Sequence, residues 1–434
     1  MKRAQLPMLA HASTRTAKQT SAARQGLLKA AFIGLVFLIA SAIPSSAQIF
    51  TPLLSFAGTN GSQPFSSLIQ GDDGNFYGTT TIGGTSTVCS NGCGTVFVLT
   101  PAGELTTLYS FVGTDGAFPV ARIVQATDGD FYGTTSSGGS LNCAGGCGTV
   151  FKITPTGVLT TLHTFVGTDG NGPNAALIQA TDGNLYGVTI YGGANTCIGS
   201  PGCGTVFKIT LSGTLTTLHN FNGADGSAPL DGLIQATNGK LYGTTGFGGA
   251  NNVCGTNIGC GTVFSMTTGG TLSTLYSFCA QSGCKDGTGP NTRLVQGTDG
   301  KFYGTTFRGG ISGDFGTIFV LTSAGSLRTL HRFIGQDGFD PAELLQGSDG
   351  NFYGTAKFGG NTNCPSDCGT VFKITIRGVM TSLHRFHGND GANPYGGLVQ
   401  AADGTFYGTT AFGGANGDGT IFRLSVAPAS LSLP

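Results

Sequence analysis

Tryptophan is absent from this 434-residue chain, charged residues make up only 10% of it, and two glutamates occur, Glu104 and Glu343. Each shortage rules something out. With 21 basic and 21 acidic residues the formal charge is zero. The clustered Lys and Arg that a phosphate backbone requires are missing, so no nucleic acid is expected as a partner. The same balance provides no attraction to an anionic membrane surface. Most glycosidases need two carboxylates facing each other, but neither glutamate lies in a repeated position and the aspartates lie in turn sequences. No GxSxG elbow, phosphate loop or HExxH helix occurs. No catalytic residue is assigned, and the reading leans away from an enzyme. Beyond residue 43 no segment is apolar enough to cross a bilayer, so no membrane span is expected in the mature chain.

The N-terminus reads as an export signal. Lys2, Arg3, Arg15, Lys18, Arg24 and Lys29 precede a thirteen-residue apolar run at residues 31–43, and Pro44-Ser45-Ser46-Ala47 supplies small residues for signal peptidase. Cleavage is expected after Ala47; an uncleaved signal anchor is the alternative. The mature protein is then secreted, extracellular or periplasmic, and bacterial.

What is abundant is Gly (76), Phe (30) and Tyr (11), with many Thr and Val, a composition suited to pleated, half-buried strands and tight turns. Self-similarity dominates. Tyr-Gly-Thr-Thr or a near copy begins at Tyr77, Tyr132, Tyr186, Tyr242, Tyr303, Tyr353 and Tyr407, at spacings of 50 to 61 residues. A Leu/Ile/Val-Gln pair and an Asp-Gly or Asn-Gly dipeptide precede each copy, and Gly-Thr-Val/Ile-Phe follows it. Six copies continue into Leu-x-x-Leu-aromatic/His-x-Phe. Each unit reads as four antiparallel strands, a to d, with Asp-Gly favouring a tight a–b hairpin in which both central residues take positive φ. Four such strands repeated about every fifty residues are the signature of a propeller blade.

The last copy stops after strand c, and its missing strand d appears at the front as residues 49–56. That offset predicts a closed ring without free edges: an all-β, seven-bladed β-propeller over residues 48–424, after a signal peptide at 1–47 and before a tail or linker stub at 425–434. A monomer is expected.

The unit DGNFYGTTxxGG…CGTVFKITxxGxLTTLHxF resembles the GloVer-type bacterial tandem repeat of exported proteins. The resemblance spans essentially the whole mature chain and implies export and tandem repetition, but supplies no activity or site residue. Many members of that family carry varied C-terminal anchoring domains, and this sequence departs from those anchored members in ending without a sorting tail. Kelch propellers share the Gly doublets but use a Trp that is missing here.

Twelve cysteines form six close pairs: Cys89/Cys93, Cys143/Cys147, Cys197/Cys203, Cys254/Cys260, Cys279/Cys284 and Cys364/Cys368. Where a copy lacks one cysteine of the b–c loop it lacks both, which in an exported chain points to disulfides; zinc held by neighbouring loops is the alternative. Strand direction puts the b–c loops and d–a connections on one face, the face where length varies and binding is expected. Two further sets lie there. Asp115, Asp169, Asp225, Asp286, Asp337 and Asp390, with Asn60 in the first copy, sit in the d–a connection, where they cap their own turns or hold calcium. The position before the Gly-Gly doublet varies as Ile82, Ser137, Tyr191, Phe247, Arg308, Phe358 and Phe412; it serves recognition by stacking, or inter-blade packing. His163, His219, His331 and His384 track the repeat at a place where other copies have Tyr109 and Tyr276, which implies a shared packing role. The non-repeating polar residues near strand a are Arg122, Asp231, Arg293, Glu343 and Tyr395. Ligand contacts are therefore expected from Tyr191, Phe247, Arg308, Phe358, Phe412 and Tyr395. No cofactor is expected. The expected function is a non-catalytic binding or scaffold propeller for a glycan or protein. A secreted polysaccharide hydrolase or lyase working on the same face is the alternative.

Overall fold

A computed structural model describes residues 48–254, 258–310, 314–360 and 368–426; the expected signal peptide and C-terminal stub lie outside them. The described residues form seven four-stranded antiparallel sheets, and the protein is a seven-bladed β-propeller. The chain enters on β1 (Gln48–Ser55) and builds the first blade from β2 (Ile69–Gln70), β3 (Phe76–Thr80), β4 (Thr95–Leu99) and β5 (Leu105–Ser110). The same a–b–c–d order recurs around the ring. As expected, β1 is strand d of the last blade: it pairs antiparallel with Thr420–Val426, the final strand, which runs two residues past the expected end at 424.

The hairpin between strands a and b differs from the expected form. Gly74 has φ +82° whereas Asp73 is not left-handed. Gly74 N–H donates to Gly71 O at 2.9 Å and Gly71 N–H to Asn75 O at 2.8 Å. This is a three-residue loop in which a single left-handed Gly follows an ordinary turn. Asp73 remains right-handed because its carboxylate is held by Asn75 N–H at 3.0 Å and by the Tyr77 hydroxyl at 2.9 Å. Both bonds are local, and the Tyr that opens the repeated Tyr-Gly-Thr-Thr supplies one of them.

Three repeated side chains join blade to blade. The strand-b Tyr lies against a Phe of the next blade, as in Tyr77–Phe131 at 4.0 Å, and Tyr407–Phe76 at 4.1 Å carries the contact across the closure. The strand-a Gln reaches the neighbouring turn: Gln125 Oε1 accepts from Asp72 N–H at 2.9 Å while its Nε2 donates to Gly129 O of its own turn. The strand-b Thr donates across the junction, and Thr409 Oγ1 to Ser66 O (2.9 Å) again spans the two chain ends. Gly78 is glycine because its neighbours leave no room. A Cβ there would lie 2.6 Å from the Phe97 ring and 2.8 Å from Leu68.

Blade six departs from the rest. One residue is missing between its proline, Pro341, and the start of its inner strand. The connection is pulled straight, so strand a is eight residues long, Phe339–Gln346, with a bulge between Pro341 and Leu344. Elsewhere this strand has two residues.

Candidate functional site

Five of the six expected disulfides are formed as paired in sequence: Cys89–Cys93, Cys143–Cys147, Cys197–Cys203, Cys254–Cys260 and Cys279–Cys284. The sixth expected pair, Cys364–Cys368, is not among them, because Cys364 lies outside the described residues. Its other member, Cys368, is described: it is disulfide-bonded and 4% exposed, in the core cluster with Val371 and Phe386. The loops share a face with the d–a connections, because the residue before each Gly doublet forms a β-bridge with the connection entering its own blade, as in Asn171↔Tyr191 and Ser227↔Phe247. The second cysteine of each b–c pair is part of the core: Cys93, Cys147, Cys203 and Cys260 are buried as Cys368 is.

The repeated Asp and the repeated His or Tyr turn out to be partners. His163 Nε2 lies 2.8 Å from Asp169 Oδ2, while Asp169 Oδ1 accepts from Val166 N–H at 2.9 Å. His219–Asp225, His331–Asp337 and His384–Asp390 repeat the geometry, and Tyr109 and Tyr276 donate to Asp115 and Asp286 in the same way. Despite desolvation, hydrogen bonds from His163 and Val166 hold the Asp169 carboxyl below its usual range. In the first d–a connection both partners change: Leu54 stands in the His position and Asn60 in the Asp position. Asn60 Oδ1 still accepts from Ala57 N–H at 2.9 Å.

On the ring axis lies a cavity of about 230 Å³ lined by residues of all seven blades. Its walls are the short segments between the repeated proline of the d–a connection and strand a. Phe65, Val120, Asn174, Leu230, Asn291, Ala342 and Tyr395, each following that proline, all line it. Of these, sequence reasoning singled out Tyr395 alone. The signal was available, since a fixed Pro precedes a residue that differs in every copy but one. A second feature of this segment is invisible in sequence: the residue before the proline has positive φ in every blade, including Gln63, Phe118, Ala228, Asp340 and Asn393. These strained backbones aim the segment inward.

The four non-repeating charged residues converge in this cavity. Arg293 Nε and Nη2 reach Glu343 Oε1 at 2.7 and 2.5 Å, and Ser67 Oγ donates to Glu343 Oε2 at 3.0 Å. Burial by itself raises the Glu343 carboxyl, but the Arg293 and Arg122 charges and the Ser67 bond outweigh it and hold the group below its usual range. Asp231 is pushed up to about 6, first by burial and then by the Glu343 charge, although Gly232 N–H (2.6 Å) and Arg293 N–H (2.8 Å) donate to it. Arg122 is half-buried. Burial and the neighbouring Arg293 charge push it down to about 10, against the pull of Glu343 and Asp231. Blade six adds a buried ion pair, Lys357 Nζ–Asp340 Oδ1 at 3.0 Å, with Lys357 also 5.2 Å from the Tyr395 ring centre.

The variable aromatic set divides in two. Tyr191 and Phe247 are 40% and 41% exposed and border cavities of about 690 and 740 Å³ beside the disulfide loops. Arg308 borders the larger one and pairs loosely with Asp314 at 3.3 Å. Phe358 and Phe412 instead pack among aromatics. Phe358 stacks on Phe339 at 5.2 Å, and Phe65 meets Tyr395 edge-on at 4.7 Å and Phe412 at 6.2 Å. The position before the Gly doublet is thus open beside the loop cavities in blades three and four and packed among aromatics in blades six and seven.

The sequence model of the Gloeobacter/Verrucomicrobia repeat matches residues 29–200, 88–283 and 253–433. No curated protein matches the sequence. Among solved structures, the chain is similar in fold to the extracellular domains of two hybrid two component systems from B. thetaiotaomicron. One is 14% identical (TM-score 0.53) over 90% of this chain and 44% of the other. The second is 12% identical (TM-score 0.52) over 86% and 40%. The chain therefore spans less than half of either. A fungal alcohol oxidase of the AA5 family, in complex with copper, is 12% identical (TM-score 0.52) over 88% of this chain and 76% of its own.

Proposed function

Starting from a chain that belongs to the Gloeobacter/Verrucomicrobia repeat family, we propose that it is an exported, non-catalytic binding propeller that takes a glycan through its disulfide-looped face. The observation that carries this reading is the pairing of exposed Tyr191 and Phe247 with the loop cavities they border. Large aromatic rings held open on a rigid rim are suited to stacking on sugar rings. Five loop disulfides remove conformational freedom that binding would otherwise have to remove. The fold neighbours that are extracellular domains of two component systems agree with an exported binding module. The test is a glycan array probed with the wild-type protein and with Tyr191→Ala and Phe247→Ala. Loss of signal in both variants with melting temperature preserved is expected, and signal unchanged in both removes the reading.

One observation favours a second reading, a polysaccharide hydrolase or lyase. Asp231 and Glu343 are two carboxylates in one cavity whose proton affinities are driven apart, Asp231 upward and Glu343 downward. Such a split is what acid and base roles require. Against it, Glu343 is clamped by Arg293 and Ser67. Depolymerisation of an array-positive glycan, lost on Asp231→Ala, would decide for the enzyme.

A further inference from the structure

We infer that the axial cavity is a subsite for a single acidic sugar, a hexuronic acid whose carboxylate is taken by Arg122. The inference rests on the glycan-binding reading above and narrows its ligand to a carboxylated class. Among the charged groups lining the cavity, Arg122 stands apart. Glu343 is held by Arg293 and Ser67, Asp231 by two backbone N–H groups, and Lys357 by Asp340. Among the described residues Arg122 has no hydrogen-bonded or ion-paired partner. A half-buried guanidinium left without an acceptor presents a planar fork of donors to the cavity, which matches a carboxylate in bidentate geometry.

Two other walls specify more than an anion. Asn174 Oδ1 and Asn291 Oδ1 line the same cavity and are buried with no hydrogen-bond partner. A buried acceptor left unmade is costly, and sugar hydroxyls are the donors that satisfy it. Phe65 and Tyr395, packed edge to face at 4.7 Å, form an aromatic wall of the cavity, suited to the apolar face of a pyranose. A cavity of about 230 Å³ is the size of one sugar unit rather than a chain. A uronate is the ligand class that needs all three: a fork for its carboxylate, acceptors for its hydroxyls and a ring for its C–H face. Free uronate and the uronate terminus of an oligosaccharide share this chemistry.

The test is calorimetric titration of the full mature protein with D-glucuronate, D-galacturonate and tri-galacturonate, with D-glucose and D-galactose as neutral controls. Wild type is expected to bind at least one uronate about tenfold or more tighter than its neutral counterpart, and Arg122→Gln to lose that preference. The monomer and trimer arms separate a free sugar from a chain end. To keep binding separate from any effect of Arg122→Gln on folding, a second measurement uses the unaltered protein: phenylglyoxal labelling of Arg122, followed by peptide mass spectrometry. Labelling slowed by the uronate and not by glucose supports the inference. Absence of uronate binding, equal binding of neutral sugars, or unslowed labelling overturns it. If array binding that depends on Phe247 persists while uronate binding is absent, this inference fails and the glycan-binding reading stands.

Discussion

His163 Nε2 and Asp169 Oδ2 lie 2.8 Å apart, six residues from each other in sequence. They join the end of the outermost strand to the turn that leads into the next blade. The closure copy replaces both members, giving Leu54 and Asn60. The pair is therefore a unit: a donor on strand d and an acceptor that also caps its own turn.

That unit can be tested by rebuilding the closure version in another blade. Asp169→Ala removes the acceptor for Val166 N–H as well as the His163 partner, and a loss of about 1–2 kcal/mol is expected. His163→Leu combined with Asp169→Asn retains the turn cap and is expected to lose less than Asp169→Ala alone. Urea titration of the three proteins measures the order; a double substitution worse than the single would show that the pair is not interchangeable.

Ring closure by the N-terminal strand predicts a large effect from a small deletion. β1 pairs with the final strand, Phe50 stacks on His384 at 3.6 Å, and Phe56 is fully buried against Phe97 at 5.4 Å. Removing residues 48–56 leaves the whole edge of Thr420–Val426 unpaired and uncovers the aromatic cluster around Phe422, and it is expected to lower the melting temperature by more than about 10 °C. An unchanged melting temperature would mean that the seventh blade does not depend on this strand.

The disulfides predict an asymmetry within a single bridge. Cys143 and Cys147 close a five-residue ring, which in the chain-entropy model contributes about 2 kcal/mol. Cys147 is fully buried while Cys143 is half-buried. Cys147→Ser adds a hydroxyl to an apolar core and is expected to be more destabilising than Cys143→Ser by about 1 kcal/mol or more, although both break the same bond. Thermal melts of the two variants compare them directly; equal losses would assign the whole effect to the bridge.

Stability should peak on the acid side of neutrality. Burial raises Asp231 to about 6 and also raises Asp340. Through these groups the folded protein holds more protons than the unfolded chain between roughly pH 5 and 7, where unfolded carboxylates are still ionised, and stability grows by about 1 kcal/mol as pH falls through that window. Below it the sign reverses. Asp73, Asp169, Asp182 and Asp390 are lowered and Asp349 is held at about 2, and their contribution is lost as they take up protons. Denaturant midpoints at pH 7.5, 5 and 3 should rise and then fall. A midpoint falling from pH 7.5 to 5 would contradict the burial of these carboxylates.

Blade number, strand order, ring closure and the polarity of the two faces were all legible in the sequence. They rest on local patterns repeated seven times, and each copy acts as a control on the others: Tyr-Gly-Thr-Thr for strand b, the displaced residues 49–56 for closure, the paired cysteines for the looped face. Repeated features with a partner in another part of the unit were harder. His163 and Asp169 were each legible as repeated, but the bond between them depends on where strand d ends above its turn. The tight a–b hairpin follows from Asp-Gly, but its backbone form does not, because Asp73 is also bonded by the Tyr77 hydroxyl, which lies outside the dipeptide, and only Gly74 takes positive φ. The axial cavity belongs wholly to tertiary structure. Arg122, Asp231, Arg293 and Glu343 lie up to 221 residues apart in sequence, and only closure of the ring brings the inner segments of all seven blades to a common axis. Repetition therefore specified the scaffold, because each blade needs the same contacts to its neighbours. The residues that make the cavity particular are those that escape the repeat, and their proximity exists only once the circle is complete.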